Sequence, residues 1–386
     1  RLRRVHQLGT ASLVYPAANH TRFEHSLGVY HLAGEALDSL DVDGVQAKRV
    51  RAAAILHDVG HGPFSHAIEG LIHDRTGKYH DDVDDLLASG DVARVLDECG
   101  LDPARVAAMV RGEGDLAGIV AGELDVDRMD YLVRDAHHTG VPYGTIDHGR
   151  LVRALTRHDG ALVLDEGNVQ SAESLLLARA LMNPTVYNHH VARISTAMLR
   201  RAAERLLATT ETTPETLRRM DDPALRTALR DCDASAAFAR RLDRRDLYKR
   251  AVWAEMADVA DDPVADDPVL DADRGEIRGY ERGIADRAGV SRDAVLLDVR
   301  PRPTMRESDS RVLVNGEVRR LDEQSTLVRA LQMAQREQWR LGVYAPPDEV
   351  DAVGRAAVDV LGLDIDGALV NETTRGQYNL GDFGEN

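Results

Sequence analysis

The chain has 386 residues, 43 % of them hydrophobic, which is enough for one large or two medium domains with a substantial core. It contains no run of 18 or more apolar residues, and its start does not have the pattern of a signal peptide, so neither a membrane span nor a leader is predicted. The net charge of −17, from 65 acidic and 48 basic residues, argues against nucleic acid as the main partner, because phosphate binding needs clustered cations.

The basic residues are almost all arginine, with only three lysines among them. A strongly acidic, lysine-poor chain is typical of salt-accumulating archaea, in which high salt screens the self-repulsion. Codon bias in a GC-rich genome is the alternative explanation. Cys99 and Cys232 are too few for a disulfide framework or a thiolate metal site, so we expect a reducing compartment, the cytoplasm.

Residues 1–200 are predicted to be mostly helical, because apolar residues recur there at helical spacing. The predicted helices cover residues 23–40, 45–57, 79–95, 119–137 and 171–205, with a further helix starting at Asp102-Pro103. Asn183-Pro184 should kink the last of them. Residues 161–164 are predicted to form one strand of a short hairpin.

The second half becomes charged and then mixed in character. Residues 206–242 remain helical in pattern, and a near-repeat of Asp-Asp-Pro-Val within 261–273 is the best candidate for a boundary loop. Beyond it we predict helices at 275–288, 327–337 and 348–361 and strands at 295–299, 312–314 and 340–344, with Asn315-Gly316 as a hairpin turn. The predicted fold is therefore mainly α, with a helical core (1–200), a helical extension (201–270) and a smaller C-terminal α+β lobe (271–386).

Residues 54–66 carry the strongest chemical signal. An apolar run ends in His57-Asp58, His61 follows, and a Gly-Pro break precedes His66. If the helix continued, His57 and His61 would share a face. Imidazole and carboxylate together suit a divalent metal of intermediate softness.

Further ligands are available upstream, in residues 19–28 around His25, and downstream, in residues 123–132 around Asp127. The order His, His-Asp, Asp resembles the signature of the HD phosphohydrolase superfamily. The flanking motifs Arg-Phe-Glu-His-Ser-Leu-Gly-Val, His-Asp-Val-Gly-His-Gly-Pro-Phe-Ser-His and Asp-Val-Asp-Arg-Met-Asp-Tyr resemble its deoxynucleoside triphosphate triphosphohydrolase branch, which includes dGTPase-like enzymes. Because the chain opens inside a family-like motif, we expect residues to precede Arg1.

The resemblance implies a function and a set of roles. It implies hydrolysis of deoxynucleoside triphosphates to deoxynucleoside and triphosphate by an oligomer, with one divalent metal ion (Mn, Mg, Fe, Ni, Co or Zn) per site. The implied metal ligands are His25, His57, Asp58 and Asp127. The implied catalytic residues are His61, His66 and His80, with His66 as the proton donor to the departing 5′ oxygen. The implied substrate-binding residues are Gln7, Arg22, Arg128, Tyr131, Asp135, Arg179 and Tyr187.

Several alternatives remain open. Arg22 and Arg128 could form structural salt bridges, His80 could lie on the surface, and Tyr131 could be a core residue. Residues 184–190 depart from the family pattern, which leaves the length of the phosphate chain and the choice of base undetermined. The alternative functions are hydrolysis of another nucleotide, monophosphate or cyclic, and nucleotide binding without catalysis.

Overall fold

The computed structural model describes residues 1–259 and 267–364. Most of the Asp-Asp-Pro-Val near-repeat and all of the chain beyond Asp364 lie outside these residues. The helices are α1 (Arg22–Ser39), α2 (Gly44–Leu56), α3 (Glu69–Thr76), α4 (Asp84–Leu87), α5 (Gly90–Glu98), α6 (Pro103–Val110), α7 (Val126–Thr139), α8 (His148–Arg153), α9 (Val169–Met182), α10 (His190–Thr209), α11 (Pro214–Arg219), α12 (Asp222–Asp231), α13 (Asp233–Asp243), α14 (Met256–Val259), α15 (Arg274–Ala288), α16 (Leu321–Gln324), α17 (Thr326–Glu337) and α18 (Val350–Leu361).

The strands form two small sheets. They are β1 (Leu155–His158), β2 (Ala161–Leu164), β3 (Lys249–Ala254), β4 (Leu296–Asp298), β5 (Arg311–Val314), β6 (Glu317–Arg320) and β7 (Leu341–Ala345). One sheet has the order β1-β2-β5-β6 and the other the order β3-β7-β4. The mainly helical fold with a smaller, sheet-containing C-terminal region is confirmed.

The chain divides into two compact units. The first comprises residues 1–192, 199–245 and 304–333, and the second comprises residues 193–198, 246–303 and, of the described residues, 334–364. The three-part division at 200 and 270 stays a prediction. None of the helices in the described parts of the chain is both long and apolar enough to span a membrane.

Helix α1 organises the first unit. It begins with a capping box, in which Thr21 and Glu24 satisfy each other's backbone N–H groups, and it packs against α2 and α7. Its buried face carries Val29, Leu32 and Leu37 into the core and brings His25 to the same side. The site therefore lies at the edge of a well-packed apolar cluster.

Two predicted helices were wrong, and one strand was missed. Residues 79–95 do not form one helix: α4 ends at Leu87, and α5 starts after an extended Ser89. The helix predicted from residue 119 begins only at Val126, because the Asp125 side chain accepts the N–H of Arg128 and caps the helix there. Strand β3 was not predicted at all. The kink at Asn183-Pro184 is confirmed as a turn of π-helix over Asn183–Tyr187.

In the second unit, α15 and α18 pack on each other and α18 covers β3 and β7. Within it, Arg193 and Asp298 form a buried ion pair with an Nε–Oδ2 distance of 2.7 Å. The Tyr344 hydroxyl donates to the same oxygen over 2.9 Å. These three buried polar side chains therefore satisfy one another.

This network gives a stability prediction. Asp298→Ala should lower the free energy of unfolding by about 3–5 kcal/mol, because it removes the carboxylate that balances the buried Arg193 guanidinium. Asp359→Ala, which removes an exposed partner of Arg287, should leave the stability unchanged within error. Urea denaturation of both variants tests this, and equal midpoints would contradict it.

Candidate metal centre

Four predicted ligands converge at the centre of the first unit. His25 Nε2 lies 2.8 Å from Asp127 Oδ1, 3.3 Å from His57 Nε2 and 3.8 Å from Asp58 Oδ2. His57 Nε2 lies 3.3 Å from Asp58 Oδ1 and 3.6 Å from Asp127 Oδ1. His25, His57 and Asp58 are buried, whereas the side chain of Asp127 is 34 % exposed.

The motif does not have the continuous helix that its spacing suggested. Helix α2 ends at Leu56, and His57–Gly60 form a turn of 3₁₀-helix, so His57 and His61 do not share a helical face. His61 still reaches the site, with its Nε2 3.3 Å from Asp58 Oδ1. The prediction of proximity therefore held, although its geometric reason was wrong.

The donor set fits a cation. His57 Nδ1 donates to the carbonyl oxygen of Ala54 over 2.8 Å, so in the neutral ring Nε2 carries the lone pair. His25 Nδ1 donates to Asp130 Oδ2 over 2.8 Å, which leaves its Nε2 facing the other three donors. Burial lowers the pKa of His25, but Asp127 and Asp130 outweigh this and raise it to about 10. The site thus demands positive charge, and its imidazole and carboxylate donors suit a divalent metal.

Arg22 joins the centre through Asp58. Its Nη1 lies 3.0 Å from each oxygen of that carboxylate, and its Nε donates to Ser65 Oγ over 2.9 Å. Burial raises the pKa of Asp58, but Arg22, His57 and His61 together hold it well below its usual value. Arg22 therefore forms the salt bridge that the sequence left open as its alternative, and it does so inside the site.

The three predicted catalytic histidines form a second cluster beside the first. The rings of His61 and His80 stack with centroids 4.1 Å apart, and the His66 ring meets both edge-on. Glu69 joins them, since Oε2 accepts from His66 Nδ1 over 2.7 Å and Oε1 accepts from His80 Nδ1. His80 is therefore part of the site and not an isolated surface residue.

A strained turn connects His61 to His66. Phe64 and Ser65 have φ values of 56° and 55°, in the left-handed region that non-glycine residues rarely adopt. Asp222, at the start of α12, accepts the Phe64 N–H over 2.6 Å and the His6 N–H over 3.1 Å. These contacts hold the strained turn in place.

Three of the predicted substrate-binding residues lie together near His25: Tyr131, Asp135 and Tyr187. Tyr131 stands with its ring centroid 6.5 Å from that of His25 and 6.0 Å from that of Tyr187. The Tyr187 hydroxyl donates to Asp135 Oδ2 over 2.9 Å. His20 Nε2 donates to Asp135 Oδ1 over 2.8 Å, so both oxygens of this carboxylate are engaged.

Gln7 is buried and borders this region, because its backbone N–H donates to the carbonyl oxygen of His20 over 3.0 Å. Arg128 and Arg179 line a cavity of about 510 Å³ together with His57, His80 and Asp127. Arg128 also lies 3.3 Å from Asp125 Oδ2, so it contributes to structure as well. The structure thus places the predicted residues around one centre, in three groups.

Sequence reasoning missed two carboxylates, Glu69 and Asp130. Each lies three residues after a predicted site residue, His66 and Asp127 respectively, and each accepts the Nδ1–H of a site histidine. Spacing of three on a helix was the available signal, since such side chains are neighbours. The chain has 65 acidic residues, so spacing alone did not distinguish these two from the others.

Two family models and several known proteins match this chain. A family model described as HD domain matches residues 22–135, and one described as HD associated region matches residues 146–372. An uncharacterised protein of Methanocaldococcus jannaschii is 33 % identical over 91 % of this chain and 74 % of its own length. A deoxynucleoside triphosphate triphosphohydrolase SAMHD1 homolog of Dictyostelium discoideum is 31 % identical, but the match covers 50 % of this chain and 41 % of that protein.

The fold also has close counterparts among solved structures. A hypothetical protein from Aquifex aeolicus superposes with a TM-score of 0.72 at 26 % identity, covering 92 % of this chain and 91 % of that chain. These comparisons do not support the expected origin in a salt-accumulating archaeon, which stays a prediction.

The close approach of two loops gives a second prediction. A Cβ atom on Gly60 would lie 1.9 Å from the carbonyl oxygen of His80, so Gly60→Ala must push the His80 backbone away from His61. We expect a loss of about 1–3 kcal/mol in the free energy of unfolding. Gly149→Ala is the control, because its Cβ would meet only side-chain ends, Arg153 Nη1 at 3.2 Å and Asp147 Oδ1 at an ordinary 3.8 Å. Identical thermal denaturation of the two variants would contradict this account.

Proposed function

The chain belongs to the HD-domain phosphohydrolase superfamily, and on that premise we propose that it hydrolyses deoxynucleoside triphosphates to deoxynucleoside and triphosphate. The observation that supports this best is the contact between a buried cluster and a partly exposed one. The His25, His57 and Asp58 donors lie directly beside the histidine–glutamate cluster of His61, His66, Glu69 and His80. A phosphate ester held by the first cluster would have proton donors next to its leaving oxygen.

His25, His57, Asp58 and Asp127 would hold the divalent ion. When bound, the ion would polarise a phosphate oxygen and make hydroxide available near neutral pH. These residues would fix its position. His25, His57 and Asp58 are buried, and each of these three also contacts a polar group outside the ligand set.

Three arginines provide charge for the phosphates. Arg128 and Arg179 face the cavity of about 510 Å³ that also contains Asp127 and His80, a size that suits a nucleotide. Arg22 lies between Asp58 and Ser65, where its guanidinium places a positive charge next to the proposed metal ligands. In phosphoryl transfer, charge builds on oxygens, so fixed cations stabilise the transition state.

Proton transfer falls to His66, supported by Glu69. Hydrolysis at the α-phosphorus would form a bond to a hydroxide oxygen and break the bond to the 5′ oxygen, and the leaving 5′ oxygen would take a proton from His66 Nε2. Glu69 accepts from Nδ1 of the same ring over 2.7 Å and so favours its protonated form, although desolvation of the ring outweighs this and lowers the pKa of His66. Burial raises the pKa of Glu69, but its hydrogen bonds to His66 and His80 lower it far more, so this carboxylate stays ionised.

Sugar recognition would use Gln7, Tyr131, Asp135 and Tyr187. Tyr131 and Tyr187 present a wall of two rings at near right angles, 84° apart, beside the metal ligands. A ring packed against the 2′ carbon would exclude a ribose hydroxyl. Homo-oligomer formation stays a prediction from the resemblance, and a cytoplasmic location stays a prediction from the low cysteine content.

The first test is a product analysis. Metal-stripped protein should, with Mn, Mg, Fe or Ni restored in molar salt, convert one or more of the four dNTPs to deoxynucleoside and inorganic triphosphate, resolved by ion exchange. Asp127→Asn should abolish the reaction, because it removes an anionic ligand. Asp91→Asn, at a side chain that is 95 % exposed, is the matched control and should keep full activity.

The products distinguish the alternatives. Phosphate or pyrophosphate as the product would contradict the triphosphohydrolase proposal and keep an HD phosphohydrolase of other specificity. Nucleotide binding without turnover in any metal would favour a nucleotide-binding regulator.

Glu69 offers a sharper test of the proton donor. Glu69→Gln should lower kcat by about 10²–10³-fold with KM and metal content unchanged, because an amide cannot stabilise the imidazolium form of His66. Glu98→Gln, at an exposed position on α5, is the control. Wild-type kcat in Glu69→Gln would exclude the proposed dyad.

A further inference from the structure

We propose that Gly28, Asp130 and Arg134 act together as a lock that fixes His25 as a metal ligand. We call these three residues the His25 lock. The inference rests on the proposed metal centre and goes beyond it, since it assigns the affinity of that centre to positioning residues outside the ligand set. The lock comes from α1 and α7, the two helices that supply the first and last ligands.

The His25 ring is held from both ends by one helix. Asp127 and Asp130 lie three residues apart on α7, so their side chains are neighbours on successive turns. Asp127 Oδ1 lies 2.8 Å from Nε2, and Asp130 Oδ2 lies 2.8 Å from Nδ1. Because the ring is fully buried, it has no water to replace either contact. Asp130 is therefore the group that decides which nitrogen faces the metal.

Arg134 keeps the Asp130 carboxylate in its orientation. Its Nε donates to Oδ2 over 2.9 Å and its Nη2 donates to Oδ1 over 2.8 Å, a two-pronged contact along one turn of α7. A carboxylate held at both oxygens cannot rotate, so Oδ2 remains directed at the ring of His25. This contact also balances the negative charge of a side chain that is only 9 % exposed.

Gly28 makes room for the pair. It lies one turn after His25 on α1, and a Cβ atom there would stand 1.8 Å from Asp130 Oδ1 and 2.4 Å from Arg134 Nη2. Any larger residue at position 28 would have to displace the carboxylate, the guanidinium or both. The glycine in this helix thus serves the close approach of α7 and needs no unusual backbone angle.

The chemical consequence is a fixed tautomer and a stronger donor. Because Nδ1–H donates a hydrogen bond to Asp130, the Nε2 lone pair points at His57 and Asp127. The Asp130 carboxylate also raises the basicity of the ring. Partners of this kind change metal affinity by about 10–100-fold in other metal sites. We expect a change of that size when the lock is broken, without loss of any ligand.

The experiment measures metal binding and not turnover. Mn²⁺ is titrated calorimetrically into the metal-stripped full chain carrying Asp130→Asn, Arg134→Gln or Gly28→Ala. Each should bind Mn²⁺ about 10–100-fold more weakly than the wild type, and Co²⁺ loaded into the site should show a shifted visible spectrum. Circular dichroism checks that each variant is folded.

Matched controls come from the same surfaces. Gly34→Ala lies on the same helix, but its Cβ would meet only the mobile end of Arg51, and Arg51→Gln removes a half-exposed arginine. Both should bind Mn²⁺ like the wild type. If Gly28→Ala does not fold, Asp130→Asn and Arg134→Gln still decide the matter, because the first is isosteric and the second only shortens a partly exposed side chain.

The outcomes separate the two proposals. Wild-type affinity and an unshifted Co²⁺ spectrum in Asp130→Asn and Arg134→Gln would overturn the His25 lock and leave the metal centre intact. A wild-type chain that binds none of Mn²⁺, Co²⁺, Fe²⁺ or Ni²⁺ would overturn the metal centre, and the lock with it. Weakened binding in the lock variants alone supports both.

Discussion

The buried carboxylate of Asp58 is the constraint around which the site is built. This side chain is 2 % exposed, and an ionised carboxylate at such a depth is stable only when cations and hydrogen-bond donors surround it. Arg22 from α1 approaches it, as do His57 and His61 from the turn that carries Asp58 itself. Helix α1 and the turn after α2 are thereby drawn to one point, and the two clusters of histidines share a boundary there.

The same hydrogen-bond arrangement occurs twice at this boundary. Asp130 accepts a hydrogen bond from Nδ1–H of His25, and Glu69 accepts one from Nδ1–H of His66. In both rings Nε2 is therefore free to face the metal or the substrate. One carboxylate supports a metal ligand and the other supports a proton donor. The difference lies in the neighbours: His25 faces further carboxylates, whereas His66 faces the rings of His61 and His80.

Backbone strain also lies next to the expected chemistry. Phe64 and Ser65, two of the seven non-glycine residues with positive φ in the described chain, stand between His61 and His66, and contacts to Asp222 and Arg22 hold them there. Helix α12, which carries Asp222, lies beyond residue 200 and contributes no ligand. Its function in the first unit is to support the loop on which His66 stands, so parts of the chain far from the motifs still determine the site.

The sequence by itself determined the helical character and the two hairpins, because periodicity and turn residues are local properties, and its motifs indicated the proposed metal ligands through the resemblance they carry. It did not reveal that residues 57–60 form a turn of 3₁₀-helix or that α7 begins only at Val126, where the Asp125 side chain caps the helix. Only the tertiary structure decided the partners: Asp130 lies 105 positions from His25, and Asp222 lies 158 positions from Phe64. Such pairs follow from packing of whole helices, and a chain with 65 acidic residues offers too many carboxylates for spacing alone to single them out.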